Sequence, residues 1–392
     1  MSPARAAAIQ ASVRAQIVDG ILRHMTLDQE LGQLFIVEYL YTDANHADLQ
    51  NMIGKMGAGG VILYQNLNIQ TLAQTRQLTT AMQNTAAIPL IIGADEEGGG
   101  DDQTNQIFGS HPTQWDIGQT GDPKAAAAFG TRLSDELKQL GLNADFAPVV
   151  DVLDRSRVWI RAFSYSPQMV SSMGAAEVDA MQADGVMACA KHFPGLGAAN
   201  INPHQGLPVI NSTRDHIEQV DLAPYRALMS HQPAMIMTTD LLMPALDATM
   251  PAELSYPIVT GILRNEIGYD GVVVTDALYM GGIAEHYSMP EAAVLSILAG
   301  NDMLEGAFST ETMADMVGAL RTAVQSGRLP RSRIDQSVRR ILTLKQHYGL
   351  LPIKLPMRTP PDPFQSPVAA TAPSAAALQA VTRRSTFDTR LV

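Results

Sequence analysis

Helical segments alternate with short apolar runs along most of the chain. Thr26-Leu27-Asp28-Gln29 has the form of a capping box and opens a predicted helix that carries Leu31, Leu34 and Phe35 on its apolar side. Strand-like runs bounded by turn residues follow at 60–64, 89–93, 143–147, 186–190, 234–238 and 271–275. Helical patterns fill much of the space between them, most clearly over 124–140 and 167–184. Such alternation argues for the α/β class, with a parallel sheet covered by helices. Asp95, Asp151, His192, Asp240 and Asp276 each fall at or just after the end of an apolar run. In a closed (β/α) barrel those positions converge on one mouth, which makes the chain an enzyme scaffold.

The pattern changes near residue 350. Residues 1–350 are read as the barrel and 351–392 as a Pro/Ala-rich linker and tail, in which 374–382 would form one Ala-rich helix. Residues 1–25 have no continuous apolar stretch, being interrupted by Arg5, Arg14, Asp19 and Arg23, and read as an amphipathic helix instead of a signal peptide. A cytoplasmic location is therefore expected. No apolar run is long enough to span a bilayer.

Composition narrows the function. A formal net charge of -12 disfavours nucleic acid and anionic membrane surfaces as partners, while a neutral saccharide is indifferent to it. The single Cys189 rules out an internal disulfide and a multi-cysteine metal site, and its apolar neighbours mark it as core. His192, His204 and Asp240 lack metal-ligand spacing, so no metal or other cofactor is expected. Gly98-Gly99-Gly100 and Gly195-Leu196-Gly197 lack a nucleotide-loop pattern and read as tight turns.

The densest chemistry lies in Lys191-His192-Phe193-Pro194-Gly195-Leu196-Gly197, with His204 shortly after it. Retaining glycoside hydrolysis needs a nucleophilic carboxylate and a proton donor on opposite sides of a sugar. Asp276, directly after Val272-Val273-Val274-Thr275, is the candidate nucleophile; capping a following helix is the alternative role for it. His204 is the candidate acid/base, because imidazole titrates near neutrality; a surface or structural histidine is the alternative.

Several ordered motifs resemble glycoside hydrolase family 3, and specifically its single-barrel β-N-acetylglucosaminidase (β-hexosaminidase) branch. They are Gly59-Gly60-Val61-Ile62-Leu63-Tyr64, Asp95-Glu96-Glu97-Gly98-Gly99, Asp145-Phe146-Ala147-Pro148-Val149-Val150-Asp151-Val152, Arg161-Ala162-Phe163-Ser164, the Lys191 segment, 271–278 and Ala299-Gly300-Asn301-Asp302-Met303. The resemblance runs from Thr26 to about Gly349. It implies a (β/α)8 TIM-type barrel that removes a nonreducing terminal β-linked sugar, with β-N-acetylglucosaminide first and β-glucoside second. It also implies that Asp276 is the nucleophile, aligned with the first aspartate of an (S/T)DDL pattern, and that His204 is the acid/base on a mobile loop. Asp95, Arg161, Lys191 and His192 would hydrogen-bond the sugar hydroxyls, and the partner would be a small saccharide or glycoside.

The departures from that pattern cluster at the site. Asn202 replaces an aspartate two residues before His204, although its amide oxygen can still orient the ring, so Asn202 is grouped with the catalytic pair. Gly100 and Gln103 stand where two arginines are usual, Leu196 and Ala198 replace polar loop residues, Asp240 replaces a histidine, and Ala277 replaces the second aspartate beside the nucleophile. Two further readings follow from these changes: a catalytically impaired relative that binds saccharide or a partner, and a phosphorolytic enzyme.

Overall fold

A computed structural model describes residues 14–154 and 161–351. Eight parallel strands close into a barrel in sequence order: β1 (Phe35–Glu38), β2 (Gly60–Ile62), β3 (Ile91–Ala94), β4 (Ala144–Asp145), β5 (Met187–Phe193), β6 (Met235–Thr238), β7 (Val272–Ala277) and β8 (Met303–Ala307). The (β/α)8 expectation is met, and the six strand-like runs seen in the sequence correspond to β2 through β7. Their continuous apolar character follows from burial on both faces. Val272 and Val274 of β7 join one apolar cluster and Val273 joins another, so a strand with period-two geometry is apolar on both sides. Each such side chain contributes about 1.5–3 kcal/mol by leaving water.

Two strands escaped the sequence reading. The helix capped by Thr26 spans Leu27–Gln33 with both capping-box bonds formed, so Phe35 belongs to β1 and not to that helix. Leu31, Leu34 and Phe35 have helical spacing, and all four residues of β1 are buried, so no alternation separates strand from helix. β8 was hidden because Glu305 and Gly306 break its apolar run.

The helices Pro123–Leu140 and Pro167–Ala183 match their predicted ranges and pack on each other outside β4 and β5. Residues 14–22 are helical and bury Val18 and Ile21, in keeping with an amphipathic segment. The predicted tail helix at 374–382 lies outside the described residues, as do residues 1–13. Among the described residues no helix is long and apolar enough to cross a membrane. Cys189 is fully buried on β5, where loss of hydration pushes its thiol well above the usual range.

Candidate active site

The chain leaves β3 at Ala94 and turns sharply, with Gly98 and Asp101 bridging to each other. The turn demands glycine at two positions. Gly98 and Gly99 have φ of 74° and 63°, and a Cβ on Gly98 would lie 2.2 Å from the Pro112 carbonyl. This turn aims Asp95, Glu97 and Asp101 at two cations. Lys191 Nζ, on the inner side of β5, lies 2.5 Å from Asp95 Oδ1 and 2.6 Å from Glu97 Oε1. Arg161 donates to both Glu97 oxygens, at 2.6 and 2.7 Å, and its Nε lies 2.9 Å from Asp101. Burial drives Glu97 upward, but Arg161 and then Lys191 overcome it and hold the carboxyl down at about 2. Burial raises Asp101 to about 6 against the pull of Arg161. Carboxylates around Lys191 likewise outweigh its burial and keep it protonated.

Next to the last residue of β5 is His192, whose Nδ1 lies 2.8 Å from Asp151 Oδ2. Asp151 Oδ1 accepts from the backbone N–H groups of Leu196, at 2.6 Å, and His192, at 3.3 Å. One buried carboxylate therefore fixes both the imidazole ring and the start of the following loop. Gly197 lets that loop pass close to its neighbour, since a Cβ there would lie 2.0 Å from the Val152 carbonyl. The loop then forms a short turn, Pro203–Gln205, capped by Asn202, whose Oδ1 accepts from the His204 backbone N–H at 3.0 Å. That amide oxygen holds the His204 main chain in the turn. His204 Nδ1 is buried and has no hydrogen-bond partner among the described residues. Burial lowers the imidazole's pKa and the Asp276 charge opposes this, with Arg161, Asp95 and His192 also within electrostatic reach.

The opposite wall is built by β7, β8 and β1. Asp276 Oδ1 accepts from the Ala277 N–H at 2.9 Å, and Oδ2 accepts from the Thr239 hydroxyl at 3.2 Å. Asp240 and Glu253 are fully buried behind it, within each other's field and that of Asp276. Burial and mutual repulsion push Asp240 well up, and burial raises Glu253 to about 8, so the pair holds protons at neutral pH. Glu38, at the end of β1, is raised to about 8 by burial, against the pull of the Tyr279 hydroxyl that donates to it and of the nearby Tyr64 hydroxyl. Glu305 of β8 is pushed well up by burial and then by Asp95, Glu38 and Asp276.

Of the residues singled out in the sequence, Asp95 and Lys191 are in direct contact, and Arg161 joins them through Glu97. His204 and Asp276 share one electrostatic environment at the mouth. Glu97, Asp101, Glu38 and Glu305 were not singled out. Glu97 and Asp101 were visible only as an acidic run, while Glu305 could have been noticed as a carboxylate inside Met303-Leu304-Glu305-Gly306-Ala307. Gln103 accepts from the Gln65 N–H at 2.9 Å, which ties the loop after β2 to this wall. A Cβ on Gly100 would meet nothing within 4 Å, so the position of the other missing arginine is open space.

Among the described residues one group has ligand atoms close enough for a cation: Glu96, Asp102 and His111, within 4.8 Å of one another. His111 Nδ1 lies 3.0 Å from Asp102 and Nε2 lies 2.8 Å from Glu136. Carboxylates thus engage both ring nitrogens, and His111 serves as a buried strut beneath the Gly98–Asp101 turn.

Residues 26–344 match the Glycosyl hydrolase family 3 N terminal domain. The chain belongs to glycosyl hydrolase family 3. Beta-hexosaminidase A of Pseudoalteromonas piscicida is 34% identical over 373 residues, covering 82% of this chain and 61% of that protein. A Beta-N-acetylglucosaminidase/beta-glucosidase of Cellulomonas fimi is 30% identical, covering 84% of this chain and 59% of that one. The chain therefore spans about three fifths of the length of these two relatives. Among solved structures, a glycoside hydrolase family 3 beta-N-acetylglucosaminidase from Paenibacillus sp. superposes with a TM-score of 0.79 at 31% identity, covering 92% of this chain and 68% of that one.

Proposed function

We propose that this family 3 barrel hydrolyses the glycosidic bond of a nonreducing terminal β-linked hexosaminide, with β-N-acetylglucosaminide as the first substrate to test, by a retaining two-step mechanism. The observation that supports this reading is the placement of Asp276 on β7 and of His204 on the loop after β5, both at the C-terminal mouth of the barrel, with the imidazole in the field of Asp276. Names of the relatives point to the same substrate class.

In the first step the Asp276 carboxylate attacks the anomeric carbon while protonated His204 gives its proton to the leaving oxygen. Thr239 and the Ala277 N–H hold the attacking carboxylate in place. Charge on Asp276 favours the imidazolium, and burial disfavours it. Ester formation removes that charge, so His204 becomes a weaker acid-holder and a ready base for the water that releases the sugar. Asp95, Arg161, Lys191 and His192 bind hydroxyls, with Glu97 and Asp151 holding those side chains in position.

Proton NMR of the first product formed from 4-nitrophenyl β-N-acetylglucosaminide tests the mechanism. Initial β-anomer, lost in Asp276→Ala and strongly reduced in His204→Ala, is the expected result. Initial α-anomer, or undiminished turnover by Asp276→Ala, would refute it.

A further inference from the structure

We propose that Glu305 and Glu38 form a cation subsite beside Asp276 that receives the protonated amine of an N-unsubstituted amino sugar. This rests on the reading of Asp276 as the nucleophile and extends it to the substituent next to the reacting carbon.

The fold goes to some length to aim Glu305. It pairs with Ala277 on β7 and with Ile36 on β1, and the register is interrupted beside it on both sides. Such bulges re-aim side chains at the rims of barrels. Gly306 supplies the bend on the β1 side, with φ of 111°, and a Cβ there would lie 2.9 Å from the Leu278 nitrogen. Glu305 N–H donates to Thr275 Oγ1 at 3.0 Å, and Leu278 N–H donates to the Glu305 carbonyl at 3.2 Å. The backbone of Glu305 is thereby pinned on either side of Asp276. Its carboxyl lies within the electrostatic reach of Asp95 across the mouth as well as of Glu38 and Asp276.

Glu305 and Glu38 are 4% and 0% exposed, and Glu305 Oε2 and Glu38 Oε1 have no hydrogen-bond partner among the described residues. Glu38 Oε2 accepts from the Tyr279 hydroxyl at 3.2 Å, which leaves Oε1 for a ligand. Buried polar atoms without a partner cost free energy until something pairs with them. Lys191 and Arg161, the cations of this mouth, are already engaged by Asp95, Glu97 and Asp101.

An ammonium group offers three donors and a full charge to two such carboxyls, where a hydroxyl offers one donor and no charge. Position selects the same group. Asp276 attacks the anomeric carbon, whose ring neighbours are the ring oxygen, which has no proton to donate, and C2, which carries nitrogen in a hexosamine. Burial favours the protonated form of both carboxyls, so an ammonium bound against them would ionise them and release protons.

The test compares wild type, Glu305→Gln and Glu38→Gln on 4-nitrophenyl β-D-glucosaminide and its N-acetyl counterpart. In parallel, melting temperatures are measured with glucosamine, N-acetylglucosamine and glucose at equal concentration. Glutamine keeps the shape and removes the charge. The expected result is a ratio of kcat/KM, glucosaminide over N-acetylglucosaminide, that falls at least about tenfold in each variant, together with a larger stabilisation of wild type by glucosamine than by either neutral sugar. An unchanged ratio, or glucosamine stabilising no better than glucose, would overturn the subsite. Absence of turnover on every glycoside would count against the hydrolase reading alone, because the melting comparison decides the subsite without catalysis.

Discussion

On the β3–β5 side of the mouth, Asp95, Glu97 and Asp101 all lie within 2.9 Å of Lys191 or Arg161. On the β7–β8–β1 side, Glu38, Glu253, Asp240 and Glu305 are set among tyrosine hydroxyls, backbone groups and one another. The same side-chain type thus ends in opposite states. Cations hold Glu97 at about 2, whereas burial lifts Glu38 and Glu253 to about 8. One wall carries fixed, paired charge. The other stores protons, so that the proposed nucleophile, Asp276, is flanked by neutral carboxyls.

The largest effect should come from breaking the reactive wall. Asp276→Ala is expected to lower kcat by about a thousandfold or more in a 4-nitrophenol release assay. His204→Ala should cost about 10²–10⁴, and the loss should be smaller with an activated phenol than with an alkyl leaving group, which needs the proton more. On the charged wall, Lys191→Met leaves Asp95 and Glu97 without their shared cation and should destabilise the fold by about 3–5 kcal/mol in denaturant titration.

The proton-storing wall predicts a pH effect of its own. Glu38 and Glu253 have folded-state values near 8, above the ordinary 4.5, so the folded protein holds these protons more tightly than the unfolded chain. Their contribution to stability is full below 4.5 and is lost as pH rises through 8. Scanning calorimetry should therefore find a melting temperature several degrees lower at pH 9 than at pH 6, and Glu253→Gln should flatten that slope. The smallest change concerns the rim: Gly100→Arg, on an exposed residue with open space around it, should alter stability by less than about 0.5 kcal/mol. If it reaches the sugar, it should lower KM for the N-acetyl substrate.

The fold was legible wherever a strand is a plain apolar run between turns, as in Val272-Val273-Val274. It was not legible at β1, where helix and strand share one apolar stripe, or at β8, where Glu305 and Gly306 disguise a strand. Asp95, Lys191 and Asp276 stood out in the sequence because polar groups at or near the ends of buried strands have little structural reason to be there. Glu97 could not, since only the turn at Gly98 and Gly99 decides that it meets Arg161 and Lys191. The amide oxygen of Asn202 caps the turn carrying His204, a contact that only the loop geometry decides. Asp302, in the Ala299–Met303 motif, serves the far end of the barrel, where Arg264 and Arg333 bind it at 2.5 and 3.1 Å. A motif can identify a family through a structural ion cluster as readily as through its chemistry.

The most direct measurement is covalent trapping of the intermediate with a 5-fluoro hexosaminyl fluoride, followed by peptide mass spectrometry. A single glycosyl adduct on the peptide carrying Asp276, absent from Asp276→Ala, is the predicted result. Steady turnover with no adduct, or an adduct on another carboxylate, would contradict Asp276 as the nucleophile.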